Sequence, residues 1–144
     1  MDGKFSTTVS INATPAKVWT ILTTPQLMSE WMGEEMDVKV VTNWSLNSPI
    51  LIHGFHHLRF ENKGLVLQYD EGKVLSYSHL SDISRLPDNP ENYSVLEFVL
   101  TPAEQKTLLT LNIENFPTEI IRKHLEFYWR TTIIGVKKMA ECRT

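Results

Sequence analysis

At 144 residues, 42% of them apolar and 22% charged, the chain has the composition of an ordinary globular domain and is long enough to bury close to ~70% of its unfolded surface. A net charge of −3 without a long basic run argues against nucleic acid as the main partner. No apolar run approaches ~18 residues and Met1 to Ser10 lack a signal-peptide core, so no membrane span is expected and the protein is expected in the cytoplasm.

The first predicted element is a half-buried strand, in which Phe5, Thr7, Val9 and Ile11 alternate with Ser6, Thr8 and Ser10. Asn12 to Pro15 ends it, and Thr14 as N-cap with Pro15 at the first helical position opens a short helix over 15–23. Thr24-Pro25 stops that helix. A second follows over 25–32, with Leu27, Met28, Trp31 and Met32 inward and Gly33 at its end. From Met36 the period changes to two: Met36, Val38 and Val40 predict a strand reaching Trp44, before a turn over 45–49.

Residues 50–60 read as one long strand, with Ile50, Ile52, Leu58 and Phe60 on one parity and Gly54 and His56 between them. A bulge at Gly54 would instead turn His53 or Phe55 inward. Strands at 65–69 and 74–80 flank the turn Asp70-Glu71-Gly72, and 82–92, rich in Asp, Asn and Pro, reads as an exposed loop. Leu96, Phe98 and Leu100, then Leu109, Leu111 and Ile113, alternate with their neighbours as two strands joined across 102–106. The chain closes with a long amphipathic helix over 117–142, lined on one face by Leu125, Trp129, Thr132, Ile133, Val136 and Ala140. Pro117 stands near its start, and Lys137, Lys138 and Arg143 crowd its end. Residues 117–144 hold six basic and three acidic side chains, which leaves the remainder at −6. A solvated outer face is the simplest account of that contrast.

Strands joined by short turns imply an antiparallel sheet, and the last helix is the only element long enough to cover one face of it. The expected class is α+β: a curved antiparallel sheet of six to seven strands around a long C-terminal helix, with two short helices after the first strand. A curled sheet wrapped around a helix leaves a hollow.

On these pieces the chain resembles the START-like superfamily, with its helix-grip fold. More narrowly, it is similar to the branch named for the C-terminal domain of the activator of Hsp90 ATPase. The residues that carry the resemblance are Val9-Ser10-Ile11-Asn12-Ala13-Thr14-Pro15-Ala16-Lys17-Val18-Trp19, Thr23-Thr24-Pro25-Gln26-Leu27 and Glu30-Trp31-Met32. Gly64-Leu65-Val66, Val74-Leu75-Ser76-Tyr77-Ser78-His79, the run from Leu96 to Pro102, Leu109-Thr110-Leu111 and Tyr128-Trp129 continue it in the family's order. Leu46-Asn47-Ser48-Pro49 stands where the family commonly has Gly-Gly. The resemblance implies one START-like helix-grip domain over 1–144. Its relatives include co-chaperone domains, polyketide cyclases and lipid carriers.

No catalytic set stands out. Ser76, Ser78 and His79 lack an elbow glycine motif and an orienting acid, and Glu34-Glu35 and Asp70-Glu71 read as solvated turn carboxylates. His53, His56, His57, His79 and His124 offer no metal set: His53 and His57, four apart on a strand, would stand roughly 13 Å apart. Cys142, the single cysteine, implies no disulfide and reads as an incidental thiol near the helix end. No phosphate-cradling glycine cluster is present, and no cofactor is expected.

The aromatic residues are the remaining signal. The expected role is non-catalytic binding of a small hydrophobic or amphipathic molecule between the sheet and the C-terminal helix. Trp31, Trp44, His56, Tyr77, Phe98, Leu125 and Trp129 are the expected ligand-binding residues. Two alternatives stand beside it: a protein-interaction module of Hsp90-activator type, and a cyclase- or hydrolase-like enzyme using His56 or Tyr77, with Gln68 as a further polar group. The chain is expected to be a monomer or homodimer.

Overall fold

In the computed structural model of the chain, strand β1 (Lys4–Ile11) leads into helices α1 (Pro15–Thr23) and α2 (Pro25–Gly33). Five strands follow in a meander broken by one long loop: β2 (Lys39–Val41), β3 (Pro49–His56), β4 (Leu58–Asp70), β5 (Val74–His79) and β6 (Ser94–Ala103). Strand β7 (Lys106–Glu114) and helix α3 (Glu119–Cys142) complete the chain. The structure describes residues 3–33, 36–56 and 58–142, apart from the side chains of His56 and Ile83.

All seven strands form one antiparallel sheet in the order β1-β7-β6-β5-β4-β3-β2. Period-two alternation puts Leu75 and Tyr77 of β5, Leu96, Phe98 and Leu100 of β6, and Leu109, Leu111 and Ile113 of β7 into the core. Helix α3 buries Ile121, Leu125, Trp129, Thr132, Ile133, Val136 and Ala140, so its apolar stripe is the one that the 3.6-residue period marks. The two short helices fall where the sequence predicts them. The Thr14 hydroxyl accepts from the Lys17 N–H at 3.2 Å, and Pro15 occupies the first turn, where its missing N–H costs nothing. Both short helices pack against α3, α2 also touches β2, and α1 also touches β6. Gly135 permits that approach, since a Cβ there would stand 3.3 Å from the Trp31 carbonyl oxygen. No described helix is long and apolar enough to cross a membrane.

Four expectations need correction. The strand expected over 36–44 is only Lys39–Val41. Trp44 lies instead in a turn at φ +60°, and the Thr42 and Asn43 side chains accept there from the N–H groups of Trp44 and Ser45. Residues 50–60 are not one strand: β3 and β4 pair with His56 opposite Leu58, and the chain reverses between them. Leu58 is consequently 70% exposed rather than inward. The β3–β4 register runs without interruption past Gly54, and the bulge lies on β4, between Val66 and Gln68. Gly54 makes room for the Phe60 ring, into which a Cβ would collide. Finally, α3 starts at Glu119 rather than at 117, with the Thr118 hydroxyl accepting from the Ile121 N–H at 3.1 Å as its cap. The expectations for Glu34, Glu35, His57 and Arg143 lie outside the described residues.

Candidate functional site

Alternation along β5 aims Tyr77 and then His79 at α3, while the i, i+3, i+4 spacing along α3 returns Leu125, Tyr128, Trp129 and Thr132 towards them. Between these two faces lies a cavity of about 650 Å³. Trp31 and Met32 of α2 close one side of it; Ile52 of β3 with Phe60 and Asn62 of β4 close another. Phe127, 78% exposed, and the exposed Glu30 and His124 stand at its mouth.

The aromatic walls are held from behind. The Trp31 Nε1–H donates to the Ile21 carbonyl at 2.9 Å, which ties α2 to the end of α1. The Tyr128 hydroxyl donates to the Met32 carbonyl at 2.7 Å and draws the two helices together at the rim. Trp129 sits in a ring cluster with its centroid 6.0 Å from Trp31, 5.6 Å from Phe98 and 5.2 Å from Tyr128. Edge-on and tilted contacts of this kind orient rings as well as bury them.

The polar groups of the interior are few. The Tyr77 hydroxyl is buried and has no hydrogen-bond partner among the described residues. Burial, and after it the neighbouring Tyr128, push its pKa upwards, so the phenol remains protonated. Burial of the half-buried His79 ring, and after it the charge of His124, bring the imidazole down from 6.5 to about 4. At neutral pH the site therefore offers a neutral phenol and a neutral imidazole, together with the Asn62 amide.

Four of the seven expected ligand-binding residues line this cavity: Trp31, Tyr77, Leu125 and Trp129. Phe98 stands behind them, stacked on Tyr77 at 6.2 Å and edge-on to Trp129. Trp44 belongs to a separate cluster, stacked on Tyr69 at 5.7 Å with its Nε1–H donating to the Thr23 carbonyl at 2.7 Å. The side chain of His56 lies outside the described residues. Gln68 is directed away, its amide donating to Asp70 at 2.7 Å.

Sequence reasoning missed Tyr128, His79, Asn62 and Phe60. The first two carry a signal that could have found them: Tyr128 is three residues from Leu125 and four from Thr132, and His79 shares Tyr77's parity. Phe60 is an apolar residue on the parity of Ile50 and Ile52 in the sequence, whereas the polar Asn62 had no such signal before the reversal after His56 was known.

A second hollow, of about 780 Å³, lies against the outer part of β4 beneath the loop over 81–93. Charged groups wall it: Lys63 is ion-paired with Asp88 at 2.5 Å, and Asp82 accepts from the Glu61 N–H at 3.1 Å. These are solvated partners of one another. The aromatic cavity, with its more apolar lining, is the better candidate for a ligand. No group of three or more potential metal-ligating side chains occurs among the described residues, and His53 is paired with Glu61 at 3.1 Å.

A protein-family comparison matches residues 12–141 to the family described as Activator of Hsp90 ATPase homolog 1-like protein. Among solved structures, ChR145 from Cytophaga hutchinsonii is 33% identical over 99% of this chain and 97% of its own, with a TM-score of 0.81. The protein CV1439 from Chromobacterium violaceum superposes with a TM-score of 0.83 at 16% identity, over 96% of both chains. The Aha1 dimer from Colwellia psychrerythraea gives 0.74 at 18% identity, again over 96% of both. No curated protein matches the chain.

Proposed function

The chain belongs to the family of Activator of Hsp90 ATPase homolog 1-like proteins, and we propose its function from the site: non-catalytic binding of a small hydrophobic or amphipathic molecule between the sheet and α3. The observation that carries this reading is the cavity of about 650 Å³, with Trp31, Tyr77, Leu125, Tyr128 and Trp129 in its wall. That volume is of the size that encloses a drug-sized guest, and an apolar wall with a few polar groups is the usual makeup of such sites. Of the seven residues expected from sequence, we retain Trp31, Tyr77, Leu125 and Trp129 as direct contacts, with Phe98 as the support behind them. The unit of function is one START-like domain spanning residues 1–144. A cytoplasmic location is part of the proposal; the lone cysteine, Cys142, forms no disulfide that would call for an oxidising compartment.

The test is a thermal-shift panel of fatty acids, flavonoids and polyketides, followed by mass spectrometry of whatever is recovered from the protein. A binder raises the melting temperature by mass action, increasingly with its concentration. Recovery of a chemically altered ligand, lost in a His56→Ala variant that still folds and binds, would overturn the non-catalytic reading in favour of an enzyme. Failure of the whole panel would favour a protein-interaction module of Hsp90-activator type. The family description and the exposed Leu65 and Leu67 on β4 support that second reading.

A further inference from the structure

We propose that the guest of this cavity is uncharged and presents a hydrogen-bond acceptor to the Tyr77 hydroxyl at its buried end. This rests on the ligand-binding reading above and narrows it to a chemical class: apolar molecules carrying a ketone, ester, ether or alcohol oxygen, as opposed to carboxylates and phosphates.

Tyr77 is 1% exposed, lines the cavity, and has a hydroxyl without a partner among the described residues. A buried hydroxyl left unpaired is costly, and a guest that supplies its partner recovers that cost on binding. The ring cannot swing away to find another partner, because Phe98 stacks on it and its strand is paired on both sides, to Val66 and to Leu96. As burial keeps the phenol protonated, the hydroxyl is a donor, and the complementary atom is an acceptor.

The exclusion of negative charge follows from the rest of the lining, which contains no lysine or arginine among the described residues. The imidazole of His79 stays neutral at physiological pH and supplies no countercharge. The ionisable groups at the mouth are Glu30 and His124. A carboxylate drawn to Tyr77 would thus be desolvated without an ion partner, the arrangement that proteins avoid. Neutral Asn62 and His79 can hold a second oxygen or a hydroxyl of the guest, and the ring cluster around Trp129 takes the apolar body.

The experiment compares 2-tridecanone, tridecane and tridecanoate by equilibrium dialysis against wild-type protein and Tyr77→Phe, above the carboxylate pKa. The expected result is that wild type holds the ketone about tenfold more tightly than the alkane, the value of one net hydrogen bond, and the carboxylate least. In Tyr77→Phe the ketone falls to the alkane's affinity while the alkane is unchanged. Equal affinity for ketone and alkane in wild type, or a preference that survives in Tyr77→Phe, overturns the role of the hydroxyl. Carboxylate binding as tight as the ketone's overturns the exclusion of charge. In each of these cases alkane binding still upholds the cavity, whereas failure of all three probes overturns the ligand-binding reading and this inference together. Melting of the unliganded variant supplies an independent readout. Loss of an unpartnered hydroxyl should leave Tyr77→Phe at least as stable as wild type, and a drop of several degrees would mean that the hydroxyl is already satisfied within the protein.

Discussion

Trp129 is the residue on which the grip of sheet on helix converges. It touches rings from α2, β6 and its own helix while it forms part of the cavity wall. Trp129→Ala should therefore destabilise the fold by about 3–5 kcal/mol, the range for removing a large buried aromatic. An unchanged denaturation midpoint and slope would mean that α3 is rotated from the position described. His79 gives a second test at this scale. Its folded value of about 4 lies below the ordinary 6.5, so as pH falls the unfolded chain takes up this proton first. The neutral imidazole is no burden above 6.5; stability is lost between 6.5 and 4 and the loss is complete below that. It amounts to at most about 3 kcal/mol, less to the extent that water reaches the half-buried ring. In His79→Gln the urea midpoint should fall less between those two pH values than in wild type. Parallel curves would show that the imidazole titrates normally.

At the scale of elements, the contact between β4 and β5 depends on a missing side chain. A Cβ on Gly64 would collide with the Ser78 carbonyl oxygen, a backbone atom of the paired strand that cannot turn aside. The Ser78 hydroxyl accepts from the neighbouring Leu65 N–H at 3.0 Å, and Lys63 and Leu80 form a further bridge. Gly64→Ala should cost about 3 kcal/mol or more, at the upper end of overpacking penalties, and a wild-type melting temperature would refute so close an approach. The β3–β4 hairpin was the element that sequence reasoning failed to divide. His56-His57-Leu58 contains no glycine, proline or asparagine, and apolar parity continues across it, so no local signal marked a reversal. Three residues of β2 stand where nine were expected, because the side chains of Thr42 and Asn43 compete for backbone N–H groups that a ladder would otherwise use.

For the molecule as a whole, inner and outer faces of the sheet should be separable by mutation. Leu65 and Leu67 are 43% and 42% exposed on β4, whereas the intervening Val66 is fully buried. A Leu65→Lys, Leu67→Lys double variant should keep the thermal shift produced by any ligand of the cavity and lose only contacts that a protein partner makes with the outer face. Loss of the ligand shift in a variant that still folds would show that the two faces are not independent.

The amino-acid sequence by itself determined the long helix and its buried stripe, the two short helices, the strands around Leu96–Leu100 and Leu109–Ile113, and the α+β class. Each of these is a local pattern, since burial of one face writes its period into the residues that share it. It also singled out Trp31, Tyr77, Leu125 and Trp129, which lie on elements with a strong period. Only the tertiary structure decided which of the aromatics meet. Trp44 was turned towards Tyr69 by a left-handed backbone residue, and Phe98 was screened from the cavity by Tyr77 and Trp129. Asn62 entered the wall through a reversal without turn residues. The electrostatics of the site were likewise set by assembly. A tyrosine hydroxyl without a partner among the described residues exists only once sheet and helix have closed around it, and the histidine held near 4 owes its state to the desolvation that this closure brings.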